Sequence, residues 1–420
     1  MRQATRRARR AGAALAAAVA WAGLALGATG CSGSELDGML GKPPRPADAI
    51  RVTPGDGDKN VRAGERLEVR VPDGRLESVR VVRSQDAQEV EVAGRIGADR
   101  STWRPVDDGP LALAAKYTVD AVALDGHGRR TARHTTFTTF VPDERFIGYV
   151  TPEHRATVGT GMIVSLEFNR EVADRKAVQR AVRVTAEPAV EVRPHWFGAT
   201  RLDFRPEKYW KPGTKVTVDL DLRDVKAAPG VYGLQDKTFS FTVGRSQVSL
   251  VDAAAHTMEV RRDGELLATV PITAGAPKTT TYNGKMVVTE MLEVTRMNSR
   301  TVGFGGEYDI PDVPHAMRLT TSGTFLHGNY WAPNAPGKTN VSHGCVGLRD
   351  VKGGSSRTPA GWFFDRTLIG DVVEVVNSDD KKVAPDNGLG GWNMDWEEWK
   401  TGKKAADGKK DDKRPRSGRP

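Results

Sequence analysis

Short runs of alternating apolar and polar residues are the feature that most limits how residues 48–245 can fold. Such runs include LEVRV at 67–71, YTVDAV at 117–122, VSLEF at 164–168 and VTVDL at 216–220. A period of two places every second side chain on one face of a β-strand, and turns roughly every 8–12 residues separate the runs. This pattern predicts antiparallel β-sandwiches.

The two halves of this region also resemble each other. Three motifs recur after 99 to 102 residues: WRP at 103–105 as FRP at 204–206, YTVD at 117–120 as VTVD at 216–219, and TF at 136–137 as TF at 238–239. A repeat near 100 residues fits the size of an immunoglobulin domain. We therefore expect two immunoglobulin-like domains, at 48–145 and 146–245, that act as spacers. A carbohydrate- or partner-binding role is the alternative.

The net charge of +9 is concentrated at the two ends of the 420-residue chain. Residues 1–30 contain five Arg and no acidic residue, and residues 400–420 contain nine Lys or Arg and three Asp. This leaves a net charge of −2 on residues 31–399. Nucleic-acid-binding proteins usually carry their positive charge on the fold, so we expect no nucleic-acid partner. With 38% hydrophobic and 27% charged residues, the composition excludes a polytopic membrane protein and a wholly disordered chain.

The first 30 residues have the layout of a secretory signal peptide. Five Arg between positions 2 and 10 precede an Ala-rich apolar run at 11–28, and ATG at 28–30 leads to Cys31. Small residues before a cysteine resemble the lipobox of bacterial lipoproteins, which implies that Cys31 carries a lipid anchor. Simple cleavage and an uncleaved signal-anchor helix are the alternatives. All three place the body outside the cytoplasmic membrane.

The remaining segments complete a mainly β chain. Residues 31–47 are rich in Ser, Gly, Asp and Pro and are predicted to be a flexible spacer. Residues 246–377 are predicted to form a β-rich domain with one helix near 360–367. Three tryptophans follow in the extension at 378–400, at a spacing that predicts one face of a short helix: Trp392, Trp396 and Trp399. Residues 401–420 are predicted to be a disordered charged tail.

The chemical site is marked by a cysteine that follows two histidines. SHGC at 342–345 places Cys345 two residues after His343, and His327 lies 18 residues before Cys345, after the apolar run TFL at 324–326. A nucleophilic thiol needs a partner for its proton and donors for the oxyanion that forms. The residue types therefore favour a cysteine acyl-transfer site.

The backbone around the cysteine has the composition that such a site needs. A Gly-, Pro- and Asn-rich loop at 328–341 can fold back to bring Cys345 beside His327. Gly344 allows the amides of Gly344 and Cys345 to point at one oxygen. Two alternatives stay open on these residues alone: a zinc site made by the two histidines and the cysteine, and a buried structural cysteine.

These motifs, together with Trp331 four residues after His327, resemble the L,D-transpeptidase (YkuD-type) family of peptidoglycan enzymes. The resemblance covers about 246–377. Two preceding immunoglobulin-like domains and a Trp-bearing extension are similar to the actinobacterial lipoprotein branch of that family. The family often has Asn or Arg two residues after the cysteine, where this chain has Gly347. A Thr-Pro-x-Gly turn common in the family is replaced by TTTYNG at 279–284.

The resemblance implies a role for individual residues. Cys345 would be the nucleophile, and His327 the general base, held through its other ring nitrogen by the carbonyl of Gly328. His343 and Gly344 would shape the oxyanion hole and the cleft together with Cys345. Substrate contacts are expected from four further residues: Tyr308 on a flap over the cleft, Trp331, Asn340 and Ser342.

The resemblance also implies the reaction. The enzyme would act on tetrapeptide stems of peptidoglycan, release D-Ala, and form 3→3 cross-links through a cysteine thioester, without a metal or cofactor. We expect a monomer on the outer face of the cell membrane, held there by its lipid anchor and facing the cell wall. An L,D-carboxypeptidase that uses water as the acceptor is the rival enzyme. A non-catalytic wall-binding lipoprotein is the rival from another class.

Overall fold

The computed structural model describes residues 49–302 and 306–402. The predicted signal peptide at 1–30, the lipidation site Cys31 and the spacer at 31–47 lie outside the described residues, as does nearly all of the predicted tail at 401–420. Within the described residues, no helix combines the length and apolar character needed to cross a bilayer.

The first sandwich is formed by two sheets that share one core. Its sheets have the strand orders β1-β2-β6-β5 and β4-β3-β7-β8 among the described residues. Apolar side chains from both sheets, including Val69, Trp103, Val119 and Phe137, meet in the core between them. The strands are β1 (Arg51–Thr53), β2 (Glu68–Arg70), β3 (Gly74–Gln85), β4 (Gln88–Glu91), β5 (Gly94–Ile96), β6 (Thr102–Pro105), β7 (Lys116–Asp125) and β8 (Arg130–Thr138).

The second sandwich repeats this arrangement with additions. Its sheets have the orders β10-β12-β15-β14 and β11-β19-β16-β13, and a small third sheet has the order β17-β18-β9 in the described range. The elements are β9 (Glu144–Phe146), β10 (Gly148–Thr151), β11 (Thr157–Val158), β12 (Val164–Phe168), α1 (Arg175–Arg180), β13 (Val182–Glu187), β14 (Val192–Phe197), β15 (Arg201–Pro206), β16 (Lys215–Asp221), β17 (Lys226–Ala228), β18 (Val231–Gly233) and β19 (Asp236–Val243).

The recurring sequence motifs occupy corresponding strands of the two sandwiches. The WRP motif lies in β6 and the FRP motif in β15, each the third strand in the order of its sheet. Trp103 and Phe204 take the same place in the two cores. The order β3-β7-β8 of one sandwich matches β13-β16-β19 of the other. The fold is therefore mainly β, with immunoglobulin-like sandwiches in the amino-terminal half.

The predicted catalytic region, residues 247–376, contains a nine-stranded sheet with the order β23-β28-β20-β21-β22-β27-β26-β25-β24 among the described residues. Its strands and helix are β20 (Gln247–Asp252), β21 (Thr257–Arg262), β22 (Glu265–Thr273), β23 (Gly284–Val287), β24 (Glu290–Asn298), β25 (Asp309–Arg318), β26 (Phe325–Asn329), β27 (Val346–Arg349), α2 (Pro359–Phe364) and β28 (Val372–Val376). Strand β22 pairs with β21 along its first part and with β27 at Ile272 and Thr273, so it joins the two halves of the sheet. The core packs under α2 through Ala360 and Phe363.

The helix expected near 360–367 is shorter than its prediction and begins earlier. Thr358 caps α2 by accepting the Gly361 N–H, and Pro359 occupies the first turn, where a missing N–H costs nothing. The helix ends at Phe364, and the next residues turn toward β28.

The tryptophans of the carboxy-terminal extension do not lie on one helix, so that prediction is wrong. Trp392 belongs to a 3₁₀ turn, Gly390–Asn393, whereas Trp396 and Trp399 belong to α3 (Trp396–Thr401). Met394 and Asp395 between them have extended backbone, which breaks the helical period. The three indoles instead surround one cation of the second sandwich.

That cation is Arg205 of β15. Its guanidinium carbon lies 4.8, 5.3 and 4.5 Å from the ring centroids of Trp392, Trp396 and Trp399. Burial lowers the pKa of Arg205 to about 10, so the group stays charged at neutral pH. The extension thus fastens the second sandwich to the catalytic region through cation–π contacts.

The two joints of the molecule differ in character. Between the second sandwich and the catalytic region, Trp392 enters the core of the sandwich, and its indole N–H donates to the Gly161 carbonyl at 2.7 Å. Between the two sandwiches the contacts are mainly polar: Asp224 accepts the Leu113 N–H at 2.9 Å and Arg223 pairs with Asp86 at 2.7 Å, beside one ring contact between Phe140 and Tyr232. The catalytic region and the second sandwich therefore form the more firmly packed pair.

Candidate active site

Two parallel strands at the centre of the catalytic region carry the predicted cysteine and base. Strand β26 pairs with β27 so that His327 lies opposite Gly347. Cys345 is two residues before Gly347, and side chains two residues apart share a face of a strand. Cys345 and His327 therefore face the same side of the sheet from neighbouring strands. The loop at 330–345 makes the parallel return that brings them together.

The thiol of Cys345 is buried at the amino-terminal end of β27. Its side chain is 7% exposed and packs with Phe325, Met297, Val313 and Ala316. The Phe325 N–H donates to the sulfur at 3.4 Å, and the thiol lies 3.7 Å from the Gly323 carbonyl. Backbone groups on both sides thus hold the sulfur in place.

His327 is held in one tautomer. Its Nδ1–H donates to the carbonyl oxygen of Gly328 at 2.9 Å, which leaves Nε2 with a lone pair. The ring is 4% exposed and stacks on Trp331, with the centroids 5.5 Å apart and the planes at 19°. The imidazole is therefore oriented as a proton acceptor.

Burial keeps both reacting groups neutral at rest. It raises the pKa of the Cys345 thiol to about 11, although the Phe325 N–H lowers it in part. It also lowers the pKa of His327, which the Gly328 hydrogen bond offsets in part. Near pH 7 the cavity is therefore lined by a protonated thiol and a neutral imidazole.

A cavity of about 370 Å³ opens beside these two groups. Apolar atoms form most of its wall, and seven of the thirteen lining residues carry a side-chain nitrogen or oxygen. The lining consists of Thr273, Met297, Tyr308, Ile310, His327, Asn329, Trp331, Ala332, Val341, Ser342, His343, Cys345 and Gly347. Three of the predicted substrate-binding residues, Tyr308, Trp331 and Ser342, are in this set.

The hairpin of β24 and β25 covers the cavity as a flap. Tyr308, just before β25, packs on His343 with ring centroids 4.9 Å apart. The neighbouring Glu307 carboxylate lies 3.0 Å from His343 Nε2. Burial and then the nearby Cys345 raise the pKa of Tyr308 to about 12, so its hydroxyl stays protonated. His343 thus attaches the cysteine loop to the flap.

The turn before the cysteine uses Ser342 and Gly344. Ser342 Oγ donates to the Cys345 carbonyl at 2.5 Å and accepts the Gly344 N–H at 3.2 Å. Gly344 has φ +105°, a conformation that side chains rarely adopt. The expectation that the Gly344 amide points at the oxyanion differs from this geometry, because the Ser342 hydroxyl already accepts that N–H. Gly344 therefore allows the turn before Cys345 through its positive φ and does not serve as an oxyanion donor.

Asn340 lies outside the cavity lining. Its Oδ1 accepts the Ala274 N–H at 2.7 Å and its Nδ2 donates to the Ala253 carbonyl at 2.9 Å. Both ends of the amide therefore hold backbone, and the residue anchors the loop that carries Val341 and Ser342. The predicted substrate contact from Asn340 has no counterpart in this geometry.

Two residues near the site were missed by sequence reasoning. Asp350, 3% exposed, lies behind Gly328, where a Cβ on Gly328 would overlap its carboxylate. It accepts from His315 Nδ1 at 2.6 Å and from Thr358 at 2.9 Å. Burial alone would raise the pKa of Asp350, but these hydrogen bonds lower it on balance.

The other missed residue is Asn329, which lies two positions after His327 in β26. This spacing could have indicated that the two side chains share a strand face.

The donors around Cys345 do not converge as metal ligands. No group of three or more His, Cys, Asp or Glu side chains in the described ranges is arranged to hold a metal ion. His343 instead pairs with Glu307, and His327 Nδ1 with a backbone carbonyl.

Comparison with known proteins identifies two matching domain families, one in the amino-terminal part of the chain and one in the carboxy-terminal part. A model of the L,D-transpeptidase catalytic domain matches residues 246–375, and one of a bacterial Ig domain matches residues 58–226. L,D-transpeptidase 2 of Mycobacterium tuberculosis (strain CDC 1551 / Oshkosh) is 33% identical over 352 residues, 83% of each protein. L,D-transpeptidase 5 of Mycobacterium tuberculosis (strain ATCC 25618 / H37Rv) is 29% identical over 376 residues, 88% of this chain and 80% of the relative.

Solved structures are similar over a shorter span. The structure of LD transpeptidase LdtMt1 in complex with imipenem is 30% identical and covers 56% of this chain and 100% of that chain, with a TM-score of 0.47.

Fold and site together define a protein with an immunoglobulin-like region followed by a YkuD-type catalytic domain. With a relative 33% identical along 83% of both chains, this chain belongs to the L,D-transpeptidase family.

Proposed function

We propose that this transpeptidase forms 3→3 cross-links between peptidoglycan stems through a thioester on Cys345. The observation that carries the proposal is the pair of parallel strands that presents the Cys345 thiol and the His327 imidazole to one cavity. His327 is held as an acceptor through Nε2, and the thiol is held by backbone groups. This is the arrangement that nucleophilic acyl transfer needs.

In the first half-reaction, the sulfur of Cys345 attacks the carbonyl that follows the L-centre of the diamino acid in a tetrapeptide stem. The thiol proton passes to His327 Nε2 as the carbon–sulfur bond forms. The tetrahedral intermediate then expels the amine of the terminal D-Ala, which takes that proton from His327. The product is a thioester and free D-Ala.

In the second half-reaction, the side-chain amine of a neighbouring stem attacks the thioester carbonyl. His327 Nε2 accepts the amine proton and returns it to the departing sulfur, so a new amide forms and the thiol is restored. Because the cavity wall is largely apolar, it disfavours water as the competing acceptor.

Donors for the oxyanion come from the flap and the cysteine loop. Tyr308 lines the cavity near Cys345, and its hydroxyl stays protonated because burial and the nearby thiol raise its pKa to about 12. We assign it, with the Cys345 N–H, to the developing negative charge. The Gly344 N–H is engaged by Ser342 Oγ.

Product analysis tests this function against its enzymatic rival. Purified protein is incubated with tetrapeptide stems, and the products are separated and identified by mass spectrometry. Cross-linked dimers that retain one D-Ala are expected. Tripeptide without dimers would show an L,D-carboxypeptidase, and unchanged tetrapeptide would favour a non-catalytic wall-binding protein.

We further propose that the protein works outside the cytoplasmic membrane with Cys31 lipidated. The support is the Arg-rich start, the Ala-rich run and the small residues before Cys31. The sandwiches would then hold the active site tens of ångströms from the bilayer, since a compact domain of 100 residues has a radius of gyration of about 13 Å.

A further inference from the structure

The hydrogen-bonding groups of the active-site cavity are mostly engaged within the protein. Thr273 Oγ1 donates to the Thr339 carbonyl and accepts the Val341 N–H. Ser342 Oγ is likewise engaged on both sides, and His327 Nδ1 holds the Gly328 carbonyl. Such groups shape the wall but have little capacity left for a substrate.

Asn329 differs from them. Its side chain is 2% exposed and lines the cavity. Its Oδ1 accepts the Ala332 N–H at 2.9 Å, which identifies the oxygen end of the amide. Its Nδ2 has no partner among the residues that the structure describes. Nδ2 is not among the fully buried unpartnered atoms, so it is accessible from the cavity, where a ligand oxygen can accept its hydrogens.

Gly347 makes the room for this amide. A Cβ at Gly347 would lie 3.4 Å from Asn329 Cβ, 3.5 Å from Asn329 Nδ2 and 2.9 Å from the Thr273 methyl. The Asn329 amide therefore lies over the bare Cα of Gly347, across the β26–β27 pair. A longer side chain at 347 and the amide of Asn329 would compete for the same space.

We propose that Asn329 Nδ2 is a substrate-positioning donor for the acyl-donor peptide, and that Gly347 is the companion substitution that admits it. This rests on the proposed transpeptidase function. Asn329 and His327 share a strand face about 7 Å apart, at roughly 3.3 Å per residue. That distance is about the length of two peptide residues. The substrate group that accepts a hydrogen bond from Asn329 Nδ2 is thus a carbonyl or carboxylate oxygen within about two residues of the bond that Cys345 attacks.

Moving the side-chain amide from position 329 on β26 to position 347 on β27 by mutation tests this proposal. The key variant combines Asn329→Ala with Gly347→Asn, which returns an amide to the cavity from the opposite strand. Thr273→Ser is added because it removes the methyl that a Cβ at 347 would meet and keeps the hydroxyl with its two hydrogen bonds. Asn329→Ala and Asn329→Asp are made in the same Thr273→Ser background, which is the reference for all rates.

If Nδ2 positions the substrate, Asn329→Ala and Asn329→Asp each lower kcat/KM for a tetrapeptide stem by about 10-fold or more, the value of one hydrogen bond. The amide-transfer variant recovers most of that loss. Asn329→Asp is informative because it keeps an oxygen for the Ala332 N–H and lacks the donor.

A purely structural role gives the opposite pattern. Asn329→Asp would then match the reference, and the amide-transfer variant would stay as slow as Asn329→Ala, because it does not restore the bond to Ala332. Either result overturns the proposal, with thermal unfolding recorded for each variant to identify loss of fold. A reference protein that forms no thioester at all would overturn the proposed function and this inference together, whereas normal acylation in Asn329→Asp would overturn the inference alone.

Discussion

At the scale of single residues, the reactivity of the site depends on two shifted pKa values. Burial raises the pKa of Cys345 to about 11 and lowers the pKa of His327. The thiol is therefore protonated and the imidazole neutral across the physiological range. Attack requires the neutral form of His327, and it requires no prior ionisation of Cys345.

The acylation rate should accordingly follow the titration of His327. As pH falls through the lowered pKa of His327, the ring gains a proton, loses its role as acceptor, and the rate falls. We expect a midpoint below 6.5, the ordinary value for histidine, and a plateau from there toward the pKa of the thiol. Acylation by a carbapenem or a tetrapeptide stem, followed by stopped-flow fluorescence at a series of pH values, measures this profile. A rate that keeps rising through neutral pH with thiolate formation would argue against it.

The two histidines of the motif should behave differently when replaced. His327→Gln removes the acceptor at the thiol and should slow acylation by about 100-fold or more. His343→Ala removes the contact to Glu307 and the packing on Tyr308, so a smaller loss of rate with lower thermal stability is expected. Glu307→Gln is the matched control, because it weakens the same contact from the flap side and changes no residue of the cysteine loop. If His343→Ala abolishes the pH-dependent step and His327→Gln preserves it, the assignment of the base is reversed.

At the scale of secondary-structure elements, sequence patterns predict strands better than they predict what the strands contact. Alternation in LEVRV and VTVDL identifies β2 and β16, because one face of each strand must be buried. The same reasoning fails for the tryptophans at 392–399, whose spacing fits a helix until extended backbone at Met394 interrupts it. Their partner, Arg205, lies 187 to 194 residues earlier in the sequence, and no local pattern reveals such a contact.

Of the three tryptophans, Trp399 should contribute most to the attachment of the carboxy-terminal extension to the second sandwich. Trp399 is fully buried, its indole N–H donates to the Arg193 carbonyl at 2.9 Å, and its ring stacks on His195. Trp399→Ala should lower the free energy of unfolding by about 3–5 kcal/mol, the usual cost of removing a large buried aromatic side chain. Trp396→Ala is the control, since this indole is partly exposed and should cost less. Chemical denaturation of the two variants measures the difference, and equal losses would contradict the assignment.

At the scale of the whole molecule, the site was predictable to the extent that its chemistry lies in contiguous motifs. SHGC and His327 identify the nucleophile and its candidate base from sequence, because few other roles need these residue types together. The sequence analysis did not identify Asn329 and Asp350, because their roles depend on contacts that the parallel pairing of β26 and β27 creates. Asn329 lies close to Gly347, and Asp350 lies close to Gly328. The domain limits at 145 and 245, the lipid anchor and the monomeric state stay predictions.

The anchor can be tested on the whole chain. We expect the mature protein to partition into detergent with a diacyl group on Cys31, because small residues precede this cysteine after a charged and apolar leader. Cys31→Ser should release the protein or leave the leader uncleaved. Detergent partitioning and the mass of the amino-terminal peptide measure both outcomes. A soluble mature chain with an unmodified Cys31 would contradict the proposal.

Acylation of Cys345 with the help of His327 is directly observable by intact-protein mass spectrometry. The full chain is mixed with a tetrapeptide stem or a carbapenem, quenched in acid, and its mass recorded over time. We expect one added acyl group, located on Cys345 by peptide mapping, which is absent in Cys345→Ala and forms about 100-fold more slowly in His327→Gln. An adduct that persists in Cys345→Ala would exclude Cys345 as the nucleophile, and one that forms at an unchanged rate in His327→Gln would exclude His327 as the base.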